Sequence, residues 1–156
     1  MESVLDRVIK QNTENVNLLK IKDYNIFSVL QIQSKEVLIC RMIADLLNPR
    51  GQHGAGAEYL KIFLRDCLGM EKMDTKLADQ AIVTAEYAID DERRIDIVIE
   101  IGSYFLPIEV KIYAADQKSQ CFDYYQYAKR RDAQAKVYYL TLDGHRPGKD
   151  STSSGN

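Results

Sequence analysis

Asp96 and Glu109 stand thirteen residues apart, Gly102-Ser103 lies midway between them, and Lys111 follows two residues after Glu109. Two carboxylates brought to one place can hold a divalent cation between them. The segments on either side are alternating and apolar, Arg94 to Ile101 and Tyr104 to Ile112, and a two-residue turn with Gly first closes them into a β-hairpin. Directly opposed residues then have numbers summing to 205. One face pairs Ile101 with Tyr104, Ile99 with Leu106, Ile97 with Ile108 and Ile95 with Val110, and is apolar throughout. The other pairs Glu100 with Phe105, Val98 with Pro107, Asp96 with Glu109 and Arg94 with Lys111. Opposed residues bring their Cβ atoms to about 4.5–5.5 Å, where like charges repel. A cation between Asp96 and Glu109 turns that repulsion into coordination, and an oxygen-only ligand set favours Mg²⁺ or Mn²⁺. Without it, one carboxyl should titrate high. The bland alternative is a half-solvated sheet with a charged outer face. Pro107, which cannot donate to a ladder, could also shift the pairing.

Two helices must bring further groups to this hairpin. The segment from Ser34 to Leu47 has a strong helical period, and Asn48-Pro49-Arg50-Gly51 stops it. On that helix Glu36 points into the apolar arc of Ile39, Cys40, Ile43 and Leu47, while Arg41 and Asp45 lie opposite. A buried acid needs a partner or a ligand. Alternatively, Glu36 is a first-turn acid that the helix dipole favours. After the hairpin, Asp116 to Arg131 reads as a helix on which Gln117, Gln120 or Cys121, Tyr124 and Ala128 share a face, with Gln120 and Tyr124 one turn apart.

The remaining elements form a frame around these. Residues 2 to 20 read as one or two amphipathic helices, and Tyr24 to Leu30 has no decisive period. Ala55 to Leu68 reads as a helix with Tyr59, Leu60, Phe63, Leu64 and Cys67 on its apolar face and Gly69 at its stop. Ala81 to Ile89 and Lys136 to Leu142 read as strands, with Asp90-Asp91-Glu92 as a turn. The order is therefore helix, helix, β-β-β, helix, β. Residues 144 to 156 hold no apolar side chain and should be loose, a tail or the start of a linker. At 156 residues, 46% hydrophobic and 28% charged, the chain is ordinary globular material with one main domain. No apolar run is long enough to span a membrane, and the N-terminus lacks the layout of a signal peptide. With 21 basic against 23 acidic residues the net charge is −2, so bulk charge does not hold this protein to nucleic acid or anionic lipid. The 3 cysteines, Cys40, Cys67 and Cys121, form no C-x-x-C pair and read as reduced, buried thiols of a cytoplasmic protein; with only 2 histidines a zinc cage is disfavoured.

Glu36, Arg94-Ile95-Asp96-Ile97, Glu109-Val110-Lys111 and Gln120-Cys121-Phe122-Asp123-Tyr124, in that order of elements, resemble the PD-(D/E)XK nuclease superfamily. Gln120-x-x-x-Tyr124 is similar to the accessory motif of its RecB-type members. The run from Asn25-Ile26-Phe27 through Glu36-Val37, Leu46-Leu47-Asn48-Pro49 and His53-Gly54-x-Gly56 is similar to a poorly characterised bacterial branch. No Pro precedes Asp96, a departure the superfamily tolerates. The resemblance implies an α/β, restriction-endonuclease-like core: helix-β-β-β-helix-β, a four-stranded mixed sheet flanked by helices. That domain would span residues 24–144, after a helical extension over 1–23 and before the tail at 145–156. It implies Mg²⁺- or Mn²⁺-dependent phosphodiester hydrolysis, with Asp96, Glu109, the Val110 carbonyl and Glu36 around the metal. Glu36 would complete the shell or support a second metal, Lys111 would orient or deprotonate the water or offset charge building on the phosphate, and Gln120 and Tyr124 would position the Lys, a water or the scissile strand. Glu86 is a weaker candidate for the same pocket. Arg94 would touch a phosphate or else pair with Glu86 or Glu109. His53 would serve the site or simply sit in a surface loop. Arg93, Lys118, Lys129, Arg130 and Arg131 would offer a local phosphate-facing surface or a solvated face. The expected partner is DNA, with RNA as the alternative and no membrane; a homodimer or residues beyond Asn156 would add binding surface. The rival from another class is a catalytically silent domain that kept the fold and binds nucleic acid or protein.

Overall fold

Four apolar runs become the strands of one sheet: β1 (Ile82–Ala88), β2 (Arg94–Ile101), β3 (Tyr104–Lys111) and β4 (Tyr138–Thr141), in the spatial order β1-β2-β3-β4. The computed structural model describes residues 25–32, 34–71 and 73–154. The helices expected over residues 2–20 lie outside them. β1, β2 and β3 form an antiparallel meander, and β4 adds parallel to β3, so the sheet is mixed. A parallel addition needs a crossover, and α5 (Gln120–Arg131) supplies it.

Residues 34–156 fall into one compact unit. The described residues before it contain α1 (Ile26–Val29), whose first amides, Phe27 and Ser28, donate to Asn25 Oδ1.

The sheet is covered on both faces. α2 (Glu36–Leu47) and α3 (Glu58–Ile62) bury Cys40, Ala44, Leu47 and Leu60 against Ile97, Ile99, Ile101, Leu106, Ile108 and Val110. On the other side α5 packs Tyr124 and Ala128 against Ile95, Val98 and Phe105. The half-solvated charged face is therefore not what forms; β2 and β3 are central strands buried from both sides. Pro107 stays in register opposite Val98, and β4 joins only from Ile108 onward, so at Pro107 the strand has a ladder neighbour on one side alone.

Several boundaries move for local reasons. α3 runs on as a π-helical turn, Phe63–Cys67, which rotates the later side chains, so Leu64 is buried but Cys67 is exposed instead of joining the apolar face. Gly69, with φ +66°, ends the turn as expected. A four-residue helix, α4 (Thr75–Ala78), is too short to carry a period. α5 begins at Gln120 rather than Asp116, after Ser119 with φ +60°. The segment after residue 144 is not loose throughout. Its short helix α6 (Lys149–Thr152) buries Ser151, whose Oγ accepts from the Cys121 amide, while the Asp150 carbonyl accepts from the Ser119 amide. Asp116 anchors the approach, accepting from the Tyr139 hydroxyl and the Gly148 amide at 2.6 Å each. A polar tail docks here because its groups satisfy the free amides at the N-terminus of α5.

Candidate active site

The hairpin register summing to 205 holds from Ile101↔Tyr104 to Ile97↔Ile108 and then stops. Beyond that point Asp96 crosses the gap with its side chain, and Oδ2 accepts from the Val110 amide at 2.8 Å. β1 and β2 break their ladder at the same level. Ala85↔Ile97 and Tyr87↔Ile95 pair, while Glu86, between them, adopts φ +52°. A non-glycine residue in the left-handed region is strained by about 1–2 kcal/mol. That kink resets the alternation, so Ile95 and Tyr87 pack in the core under α5 rather than with Ile97. The alternation of the sequence places Ile95 on the Ile97 face, whereas in the structure it lies on the opposite one. The strands open around Asp96, and the carboxylate has room to face a cleft.

That cleft, between the sheet and the start of α5, brings together all six side chains picked out by their spacing: Glu36, Asp96, Glu109, Lys111, Gln120 and Tyr124. Glu109 is fully buried and Lys111 nearly so, and the Lys111 ammonium donates to Glu109 Oε1. Glu109 Oε2 is buried without a partner. Burial pushes the Glu109 carboxyl up to about 8, the charge of Asp96 adds to the rise, and Lys111 offsets only part of it. Asp96 also moves up, again chiefly through burial, with the Val110 amide and Lys111 working against the shift. Both shifts favour the protonated form in this pair. Desolvation, more than mutual repulsion, is the larger cause. For Lys111, burial pulls down, but the Glu109 hydrogen bond and the surrounding acids outweigh it and raise it.

Glu36 has a backbone task. Its Oε1 accepts from the amides of Ile112 at 2.6 Å and of Tyr113 and Ala114 at 3.1 Å, the three residues that follow Lys111. Burial works against its charge, yet those amides hold the carboxyl below the ordinary range. Replacing Glu36 with Ala should cost about 1–3 kcal/mol in urea unfolding, because three amides lose one acceptor. Glu36→Gln retains an oxygen and should cost less than about 1 kcal/mol. An equal loss in both variants would show that the charge, not the acceptor, matters.

On α5, Gln120 Nε2 donates to the Tyr124 hydroxyl at 3.1 Å, and that hydroxyl donates to the Arg94 carbonyl. Gln120 Oε1 is buried and unpartnered, facing the same cleft. Val110 is buried opposite Leu140, and its amide is what meets Asp96.

Other candidates separate from the cleft. Glu86 pairs with Arg41 at 2.8 Å. His53 lies in its loop, where Nδ1 accepts from the Ala55 amide and Nε2 faces the Asn48 carbonyl, so it ties the loop after α2 together. Arg131 pairs with Glu100. Burial and nearby acids push the Cys40 thiol up to about 12 and burial raises Cys121, which removes both as nucleophiles. Glu92 and Asp123 line the cleft and escaped the sequence reading, because no spacing links the β1–β2 turn to the first turn of α5. The Arg93–Asp123 ion pair is what joins them in space.

The donor set suits a hard, oxygen-liking cation. Among the described residues no group of three or more His, Cys, Asp and Glu is arranged around a metal position. A buried acid pair with one oxygen unpartnered fits a cation that keeps several waters, as Mg²⁺ does. No described helix is long and apolar enough to cross a membrane.

A family model described as the PD-(D/E)XK nuclease superfamily matches residues 24–156, running past the residue 144 at which the sequence reading ended the domain. No curated protein and no solved structure matches the chain. An acid pair and lysine on a splayed hairpin, inside a four-stranded mixed sheet flanked by helices, agree with that match, and the chain belongs to the PD-(D/E)XK nuclease superfamily.

Proposed function

We propose that this protein hydrolyses phosphodiester bonds in DNA with a divalent cation held by Asp96 and Glu109. The observation that supports this most directly is the buried, unpartnered Glu109 Oε2 beside Asp96 and Lys111 in an open cleft. A bound Mg²⁺ or Mn²⁺ supplies charge neutralisation at a phosphate oxygen and a nucleophilic water at neutral pH. The chain's own groups do the rest. Asp96 Oδ2 is held by the Val110 amide, and Glu109 Oε1 by Lys111. Lys111 places a positive charge where negative charge builds during attack, or holds the proton of the attacking water. Gln120 offers its free Oε1 to that water or to the strand, and Tyr124 fixes both Gln120 and the start of β2. Glu36 anchors the backbone beyond Lys111, and we assign it this role ahead of metal ligation because its Oε1 is committed to three amides.

Incubating the purified protein with supercoiled plasmid and labelled oligonucleotides tests the reading. Cleavage should require Mg²⁺ or Mn²⁺, stop with EDTA and resume when the cation is restored. Cation binding without cleavage of DNA or RNA would favour the silent-domain alternative instead.

A further inference from the structure

Four basic side chains line the cleft, and two of them are already used: Lys111 by Glu109 and Arg93 by Asp90 and Asp123. Arg94 and Lys118 remain. Among the described residues neither makes a salt bridge, and both are exposed at the rim. The acids that a cation at position 94 would otherwise meet are taken, Glu86 by Arg41 at 2.8 Å and Glu109 by Lys111. The carboxylates of Glu36 and Asp96 accept from backbone amides. Glu92 is the one cleft acid whose carboxylate makes neither a hydrogen bond nor an ion pair among the described residues.

Both cations stand on a fixed backbone. The carbonyl of Arg94 accepts from the Tyr124 hydroxyl, which locks the first residue of β2 to α5. Lys118 precedes Ser119, whose left-handed φ of +60° is held by the bond from its amide to the Asp150 carbonyl at 2.7 Å. One cation comes from the sheet and the other from the start of the helix, with Asp96 and Gln120 each two residues further along its own element. Positioned cations that have no ionic partner among the described residues, in a protein of net charge −2, are suited to a local polyanion and not to general charge attraction.

We propose that Arg94 and Lys118 grip phosphates flanking the one that is cleaved. The substrate is then a nucleic-acid strand that continues past the scissile bond, rather than a small diester with a single phosphate. This rests on the nuclease reading for its catalytic part, while the binding part stands apart from it.

The test uses the full chain and a fluorescent single-stranded 12-mer in EDTA, titrated over a series of NaCl concentrations. Arg94→Ala and Lys118→Ala should each weaken binding about 10-fold and reduce the slope of log K against log salt by about 0.7. Arg94→Lys should restore most of the slope. With Mg²⁺, the ratio of oligonucleotide turnover to bis(p-nitrophenyl) phosphate turnover should fall at least 10-fold in the double variant. Wild-type slope in the double variant, or no binding by the wild-type protein, overturns the proposal. Equal loss on both substrates also overturns it, since the two residues would then serve the chemistry or the fold. Binding in EDTA that depends on Arg94 and Lys118, by a wild-type protein that hydrolyses neither substrate, would sustain the grip and defeat the nuclease reading alone.

Discussion

Asp96→Asn and Lys111→Ala are each expected to reduce Mg²⁺-dependent DNA cleavage by about 10³-fold or more, while the protein stays folded. Both parts of that expectation follow from the site. Asn keeps an oxygen for the Val110 amide, so the side chain still bridges the point where β2 and β3 stop pairing. What it removes is a charge, and with it half of the acid pair that would hold the cation. For Lys111→Ala, the fear would be an orphaned buried anion at Glu109. Burial already favours the protonated form of that acid, so losing the ammonium leaves a neutral carboxyl and not a buried charge. Thermal melting by circular dichroism should therefore change modestly in both variants. Cleavage within tenfold of wild type by a stably folded Asp96→Asn protein would remove Asp96 from the metal and end the mechanism as drawn.

Cation affinity should rise steeply with pH, approaching about tenfold per unit well below pH 8 and totalling about 50-fold from pH 6 to pH 8. The metal-free Glu109 carboxyl is raised to about 8 from its usual 4.5, so below 8 a cation must first displace a proton. Above 8 the dependence should flatten. The same shift acts on stability with a definite sign. Between 4.5 and about 8 the folded state holds a proton that the unfolded state has released. Stability from this group is complete below 4.5 and is lost as pH rises through 8; a bound cation, which prefers the charged form, recovers it. Mn²⁺ titrations at a series of pH values check this, together with melting temperatures with and without the cation. Asp96→Asn should bind Mn²⁺ at least about 100-fold more weakly at pH 8. A pH-independent affinity over 6–8 would show that Glu109 is already ionised and that the acid pair does not share a proton.

How much of this was written locally can be judged residue by residue. The hairpin was legible because two alternating runs and a Gly-first turn leave one register that buries every isoleucine between 97 and 101, and Gly102 at φ +56° makes that turn. α2 and the body of α5 were legible because their apolar residues recur with the helical period. The acids, the lysine and the Gln-Tyr pair could be named from type and spacing alone. Glu36's partners could not, because they lie 76 to 78 residues away in sequence, at the end of a strand that the helix meets only after the sheet has formed. Nor could the switch of Ile95 to the other core, which depends on a strained Glu86 in the neighbouring strand. The tail misled because its composition is polar, while its docking depends on hydrogen bonds to Ser119 and Cys121 and not on apolar area.

Periodicity and turn chemistry are short-range, so the sequence by itself determined the elements, the hairpin register and the identity of the candidate acids and lysine. Which carboxyl burial pushes toward its protonated form, which cleft cations lack an ionic partner among the described residues and which acid anchors backbone are set by burial and by contacts between distant segments. Those quantities exist only once the chain has closed, and only the tertiary structure decided them.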